Sequence, residues 1–352
     1  MIFKNKKAIL SVSFLVFQVI LFFSFVSSAD ALTLSPPRFE LEGDKGSVIQ
    51  GTVKLFNEGQ SEKTFYVTYE NFEAKGETGT PSFVPGTTDL ATWITTEPNI
   101  IIKPGEEKLV KFAINIPNDA EAGGHFAAIF WSTTPPPKES TQLSIGAKIG
   151  TLVLLRVRGN ITEEGGVLEF GATNHKKYYN SLPIEFYYRF QNAGNDRVKP
   201  AGIVKIKNMF GFTANKLSGN PQEGNILPHS IRRIMTVWGD DTGDFYYPIE
   251  EGDNLAVKYW KGMKREWHNF AFGRYKAILD IIYGSTNKET KSSFVVWVFP
   301  WRLTTTILIF LIIIFWFGRH EIRKYNEYII SRAMKHMDNL HETIKTTFKK
   351  KV

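Results

Sequence analysis

Thr52-Val53-Lys54-Leu55-Phe56-Asn57-Glu58-Gly59 decides the fold: polar and apolar side chains alternate, and the run ends in a turn-forming Asn-x-Gly. Alternation with a period of two puts one face of a strand in a core and the other in water. Asn and Gly supply the backbone conformations at which such a strand reverses. Outward from this stretch the pattern recurs. Val48 to Phe56, Thr64 to Phe72, Leu109 to Ile116, Phe126 to Trp131 and Gly150 to Val157 read as strands, punctuated by Pro104-Gly105 and Gly123-Gly124. Pro135-Pro136-Pro137-Lys138-Glu139-Ser140 reads as a stiff loop before the last of them. After Gly165-Gly166 the pattern restarts with Pro183 to Gln191, Gly202 to Lys207, Ile231 to Trp238, Leu255 to Trp260 and Tyr275 to Tyr283. The expected fold class is all-β: two tandem immunoglobulin-like β-sandwich domains, residues 32–160 and 161–299. No amphipathic helix longer than a turn or two is expected between Leu32 and Phe299.

The two halves share a faint echo. Phe56-Asn57-Glu58-Gly59 and Gln191-Asn192-Ala193-Gly194 each end an alternating strand. Ile101-Ile102-Lys103-Pro104-Gly105 then precedes a β-run as Ile226-Leu227-Pro228-His229-Ser230 does. The spacing from Asn to Pro differs between the halves, so this is not a strict repeat.

Both ends of the chain are apolar. Lys4, Lys6 and Lys7 precede an apolar run from Ala8 to Val26, and Ser27-Ser28-Ala29-Asp30-Ala31 supplies a small-residue Ala-x-Ala site. Residues 1–31 therefore read as a signal peptide cut after Ala31, with an uncleaved N-terminal anchor as the alternative. Leu303 to Gly318 carries no charge, and residues 300–320 are expected to form one transmembrane helix. Trp297, Trp301 and Trp316 are placed as interfacial aromatics, with Arg302 and Arg319 snorkelling outward. Residues 321–352 read as a basic amphipathic helical tail, with Ile322, Tyr325, Ile329, Ala333, Met337, Leu340, Ile344 and Phe348 at helical spacing.

The formal net charge of +8 resides wholly in residues 1–31, Arg302 and residues 319–352, so the β-rich part is neutral overall. That excludes a basic nucleic-acid footprint there. The positive-inside tendency makes the tail cytoplasmic and the β-rich part an extracellular ectodomain of a single-pass cell-membrane protein. The chain has no cysteine, which excludes disulfides and thiol catalysis and leaves stability to the cores.

Leu34-Ser35-Pro36-Pro37-Arg38-Phe39-Glu40-Leu41, Gly46 through Gly51, Phe56-Asn57-Glu58-Gly59, Pro104-Gly105, Pro117 and Gly123-Gly124-His125-Phe126-Ala127-Ala128-Ile129-Phe130 resemble the first domain of WxL-interacting proteins. Asn192-Ala193-Gly194-Asn195, Pro200, Gly202 and Leu227-Pro228 resemble the second domain of that family. The resemblance implies a bacterial cell-surface protein whose first domain binds peptidoglycan, whose second binds another macromolecule, and which ends in a membrane helix. The Tyr/Trp-rich insert from Phe245 to Tyr275 departs from the family pattern and leaves the second domain's ligand open.

Catalytic signatures are absent: there is no Gly-x-Ser-x-Gly, no His-Glu-x-x-His and no phosphate-binding Gly-rich loop. No enzyme activity and no cofactor are expected. His125, His175, His229 and His268 are isolated in sequence, so no metal site is expected. Asp240-Asp241-Thr242-Gly243-Asp244 lacks the spaced acids of a calcium loop and reads as a solvated turn. The candidate ligand-binding residues are Tyr259, Trp260, Lys261, Trp267 and His268, among Lys258, Lys264, Arg265 and Phe270. Such a mixture stacks on sugars or anchors a protein while its cations meet anionic polymer; ordinary packing is the competing account. The functional expectation is a membrane-anchored surface protein that attaches to cell-wall polymer, a surface protein, or both, through non-catalytic sandwiches. The alternatives are a membrane-tethered strand-donating chaperone for exported subunits and a transmembrane envelope sensor.

Overall fold

The computed structural model describes residues 32–136, 148–239, 250 and 252–349. The signal segment, the Asp240–Asp244 turn and the loop beyond Pro136 lie outside the described residues. Ten strands come first: β1 (Leu32–Ser35), β2 (Arg38–Gly43), β3 (Val48–Asn57), β4 (Lys63–Lys75), β5 (Thr80–Pro85), β6 (Ile94–Thr96), β7 (Asn99–Ile102), β8 (Glu107–Asn115), β9 (Gly123–Ser132) and β10 (Lys148–Val157). A single helical turn, α1 (Leu90–Trp93), interrupts them. They form a four-stranded sheet in the order β1-β3-β8-β6 and a six-stranded sheet in the order β2-β10-β9-β4-β5, with β7 also on β4. Val53 and Leu55 of the smaller sheet are fully buried against Trp131 and Leu155 of the larger, while Thr52 and Lys54 face water. The alternation of the β3 sequence is thus used as a half-buried strand requires. At Pro36-Pro37 the chain leaves the smaller sheet for the larger, where β2 runs parallel to β10.

The second sandwich contains β11 (Gly165–Ala172), β12 (Tyr178–Tyr179), β13 (Ile184–Asn192), β14 (Ala201–Lys207), β15 (Thr213–Ser218), β16 (Ser230–Trp238), β17 (Gly273–Tyr283) and β18 (Lys288–Val298). Its sheets, β11-β13-β16 and β12-β18-β17-β14-β15, enclose a separate core around Phe186, Tyr188, Phe190, Leu279 and Val296. Each unit is thus a β-sandwich, two sheets closed over a core of their own.

The echo between the halves is structural. In each, a buried Asn ends a strand and ties it to the segment two residues before the Pro. Asn57 donates to Ser61 O (2.9 Å) and Ile102 O (3.0 Å) and accepts from Gly59 N (3.0 Å). Asn192 donates to Asp196 O (2.7 Å) and Ile226 O (2.9 Å) and accepts from Gly194 N (3.0 Å).

The expectation of strand from Leu255 to Trp260, and of no long helix between Leu32 and Phe299, is overturned. Leu255–His268 forms helix α2, with the Asn254 side chain capping its N-terminus by accepting from Val257 N at 2.8 Å. The buried face of α2 carries Gly262 and Glu266, flanked by half-buried Tyr259 and Met263. Its inward stripe is therefore not a run of aliphatics, although Tyr259, Met263 and Trp267 do recur at helical spacing in the sequence. The stripe packs on α3 (Trp301–Lys349), a continuous 49-residue helix. Its first part is the one described helix long and apolar enough to cross a membrane, and the tail prolongs it. The side chains of Leu340, Ile344 and Phe348 lie outside the described residues.

Candidate functional site

The five residues singled out from sequence sit on α2, where it meets the first turns of α3, and they divide between two sides. Tyr259 turns inward: its ring stands edge-on to Trp301 (5.9 Å between centroids) and its hydroxyl donates to Arg302 O at 3.0 Å. Lys261 pairs with Asp253 at 2.8 Å. Trp260, Trp267 and His268 face outward, with Lys264 Nζ 5.8 Å from the Trp260 ring centre. His268 Nδ1 lies 3.0 Å from Lys264 O within the helix. Beneath them Glu266, fully buried, accepts from Leu303 N at 2.8 Å and from Arg302 Nη1 at 3.2 Å. A carboxylate at a helix N-terminus satisfies an orphan amide and meets the positive end of the helix dipole.

Of the expected interface anchors, Trp297 lies on β18 opposite Tyr178, Trp301 opens α3, and Trp316 and Arg319 are exposed further along it. Arg302 corrects the expectation: it does not snorkel outward but bonds Glu266 and stacks over Trp301 at 4.8 Å. Gly262 makes room for it, since a Cβ there would come within 2.7 Å of the guanidinium.

A second site escaped the sequence reading. The outer face of the six-stranded sheet, which a simple sandwich would leave polar, carries its own apolar cluster of Phe72, Phe126 and Leu154, with Leu152 and Leu227 packed on it. Phe83 extends it, edge-on to Phe130 at 4.9 Å and to Phe72 at 6.1 Å. Lys148 lies over the Phe130 ring at 4.2 Å. Leu227 comes from the second sandwich, so this face floors a groove between the domains. There a cavity of about 220 Å³ is bounded by Phe72, Leu152, Leu154, Arg38 and Arg232. An adjoining one of about 350 Å³ runs past Arg232 to Glu77 and Met235. The signal was present in Phe126-Ala127-Ala128-Ile129-Phe130-Trp131: an unbroken apolar run, unlike the alternating β3, means a strand buried on both faces.

The groove has fixed walls. Buried Asp196 pairs across the domain boundary with Arg156 of β10. Gly124 N donates to Asn195 O at 2.9 Å. Gly123, at φ +135°, allows that approach, since a Cβ would sit 2.4 Å from the same oxygen. The β4–β5 hairpin crosses to the second domain, where Glu77 accepts from Arg189 Nε at 2.9 Å and Arg233 N donates to Glu77 O at 2.7 Å. The Arg232 guanidinium lies against Gly79 and Gly224, where a Cβ would force it to shift, and it donates to Asn225 O at 2.9 Å. Burial, and then neighbouring Arg38, holds its guanidinium below the ordinary range, so an anion in the groove would be welcomed.

Elsewhere His125 is buried under Trp93, with Nδ1 2.5 Å from Asp89 Oδ1 and Nε2 3.0 Å from Glu121 O. Among the described residues no group of three or more His, Asp or Glu converges as metal ligands.

No family model matches this chain, and no curated protein matches it. Among solved structures, it is similar to the class 5 fimbriae chaperone CfaA, at 12% identity and a TM-score of 0.36, over 76% of this chain and 99% of that one. The Salmonella enterica structure of SafA pilin with the SafB chaperone gives 8% identity and a TM-score of 0.31, over 77% and 98%. The Pseudomonas aeruginosa CupB2 chaperone gives 7% and 0.31, over 74% and 98%. Likeness at this level transfers no function to the chain.

Proposed function

We propose that this chain is a membrane-anchored cell-surface binding protein that holds a protein partner in the groove between its sandwiches. One observation carries this reading: the groove opens over Phe72, Leu152, Leu154 and Leu227, with Arg38 and Arg232 at its side, where the second domain docks on the outer sheet face. Apolar area beside a guanidinium suits a protein segment with a carboxylate or carbonyl more than it suits a sugar chain. Peptidoglycan attachment, implied for the first sandwich by the WxL-interacting resemblance, is a parallel proposal. The test is a pull-down with the detergent-solubilised full chain against surface extract and against purified wall polymer. Leu152→Glu changes a partly exposed side chain that lines the groove and should cut retention of the protein partner roughly tenfold or more. Equal retention by a folded Leu152→Glu variant would refute the groove as the contact surface.

A second reading is a membrane-tethered chaperone that donates a strand to exported subunits. One feature suits it: the outer edge of β10 is occupied from Leu152 to Val157 only by the short parallel β2, and parallel pairing is the weaker kind. Donation of β10 would require β2 to leave. Loss of amide protection in β2 on adding partner would decide for donation, and retained protection would decide for simple docking.

A further inference from the structure

The aromatic side chains at the end of the second sandwich nearest α3 form one band. The β14–β15 turn carries Met209-Phe210-Gly211-Phe212, with Phe210 75% and Phe212 72% exposed. The turn is built: Asn208 N donates to Phe212 O at 2.9 Å, and Asn208 Oδ1 accepts from Phe210 N and Phe212 N at 3.0 Å each. Met209 reaches the first residue of β17, where a Cβ on Gly273 would lie 1.9 Å from its methyl carbon. The preceding residue, Phe272, packs on Phe299 at 5.7 Å. Trp301 follows within two residues and meets Tyr259 on α2, whose open side presents Trp260 and Trp267. A contiguous exposed apolar band of this kind marks an interaction surface.

We propose that this band lies in the interfacial layer of the membrane that α3 crosses, so that the second sandwich rests on lipid with no stalk. The proposal depends on α3 being a membrane helix and extends that reading to the body above it. Continuity selects lipid as the occupant. Backbone pairing of the sandwich runs to Phe299, whose N donates to Tyr179 O at 2.8 Å, and α3 begins at Trp301. Only Pro300 intervenes. Glu266 then fastens α2 to the first turn of α3, so α2 is held at headgroup level wherever Ile307–Phe317 enters hydrocarbon. Trp and Phe are the side chains that favour that level. Charge agrees: Lys207 and Lys276 are direct cross-strand partners just above the band, a like-charge pair that anionic headgroups would relieve.

The absence of cysteine makes the test clean. Single spin labels are placed on Phe210→Cys, Trp267→Cys, Phe310→Cys in the apolar part of α3, and Leu109→Cys, exposed in the first sandwich. Each full-length chain is reconstituted in vesicles of phosphatidylethanolamine and phosphatidylglycerol holding no other protein, and collision with oxygen is compared with collision with an aqueous nickel complex. The labels at 210 and 267 should show an oxygen-to-nickel ratio several-fold above that at 109 and below that at 310. If 310 is lipid-buried while 210 and 267 match 109, the seating is overturned and the anchor stands. If 310 itself is water-accessible, the anchor fails and the proposal with it. Shielding of 210 and 267 from both reagents would mean protein burial and would also overturn it. Phe212→Cys repeats the measurement should the label at 210 disturb the turn.

Discussion

Replacing Asn192 by Ala should destabilise the second sandwich by about 2 to 4 kcal/mol, and Asn57→Ala should destabilise the first by about 3 to 6 kcal/mol. Each side chain is at most 1% exposed and makes three hydrogen bonds to backbone groups of its own domain. At Asn57 alanine removes the side-chain partner of two carbonyls and one amide; at Asn192 it removes that of Asp196 O and Gly194 N, while Ile226 O keeps Val198 N at 2.9 Å. Orphaning a buried polar group costs roughly 1–3 kcal/mol, and partial rehydration keeps the sum near the lower half of the range. Such a loss is a large share of the ~5–15 kcal/mol that holds a domain folded. Asn→Asp should cost at least as much, because it keeps the acceptor but turns a charge toward two carbonyls. Hydrogen exchange of the detergent-solubilised chain, resolved by segment, separates the domains: Asn192→Ala should accelerate β13 and β16 and spare β3 and β8, with the reverse for Asn57→Ala. Losses under about 1 kcal/mol at both sites, or equal acceleration in both domains, would refute the argument that each Asn locks its own strand end.

His125 makes the first sandwich pH-sensitive. Burial alone would lower its pKa, but the hydrogen bonds to Asp89 and Glu121 O outweigh that and raise it, so the stabilisation is full below the unfolded value near pH ~6.5 and fades as pH rises through the higher folded value. Melting of the chain between pH 5 and 9 should show this slope, and Asp89→Asn should flatten it. Tyr188 is buried with no hydrogen-bond partner for its hydroxyl among the described residues, and burial pushes its phenol above the ordinary range. Tyr188→Phe should therefore be neutral or stabilising by about 1 kcal/mol in denaturant titration. Asp196→Ala leaves Arg156 with only its longer contact to Glu163 (3.7 Å) and should cost roughly 1 to 3 kcal/mol of docking, read as faster exchange in residues 158–164 with both cores protected.

The strands were legible wherever one face met water, because alternation is then written in the residues, as in Thr52 to Phe56. The apolar helix was legible because Ile307–Phe317 offers no polar group to any soluble core. What stayed hidden has a common cause: burial against another unit rather than within one. The inward stripe of α2 contains a glycine and a glutamate, whose fitness depends on Arg302 and Leu303 some forty residues on. The outer face of β9 is apolar because of Leu227 and the groove, so its run reads as core without showing which surface covers it. Leu255 to Trp260 looked like strand because Leu255, Val257 and Tyr259 alternate. Only the Asn254 cap and the later Trp267 reveal the helical period.

The groove and the aromatic band occupy opposite ends of one strand. β17 starts at Gly273 beside Met209 and Phe272, and ends at Tyr283, next to the Ala201 end of β14 from which the Pro200–Asn220 corner leads into the groove. Eleven residues of strand span about 36 Å. Pro300 is the only spacer to α3, and Arg156–Asp196 and Glu77–Arg189 join the domains, so the path from groove to helix is short and cross-linked. On the proposed seating, a partner is met at a set height above the bilayer. Inserting a flexible Gly/Ser segment after Phe299 should therefore impair capture of a membrane-bound partner while leaving binding to the soluble partner intact. Equal capture of the membrane-bound partner with and without the insert would show that the height is irrelevant and that the rigid junction serves packing alone.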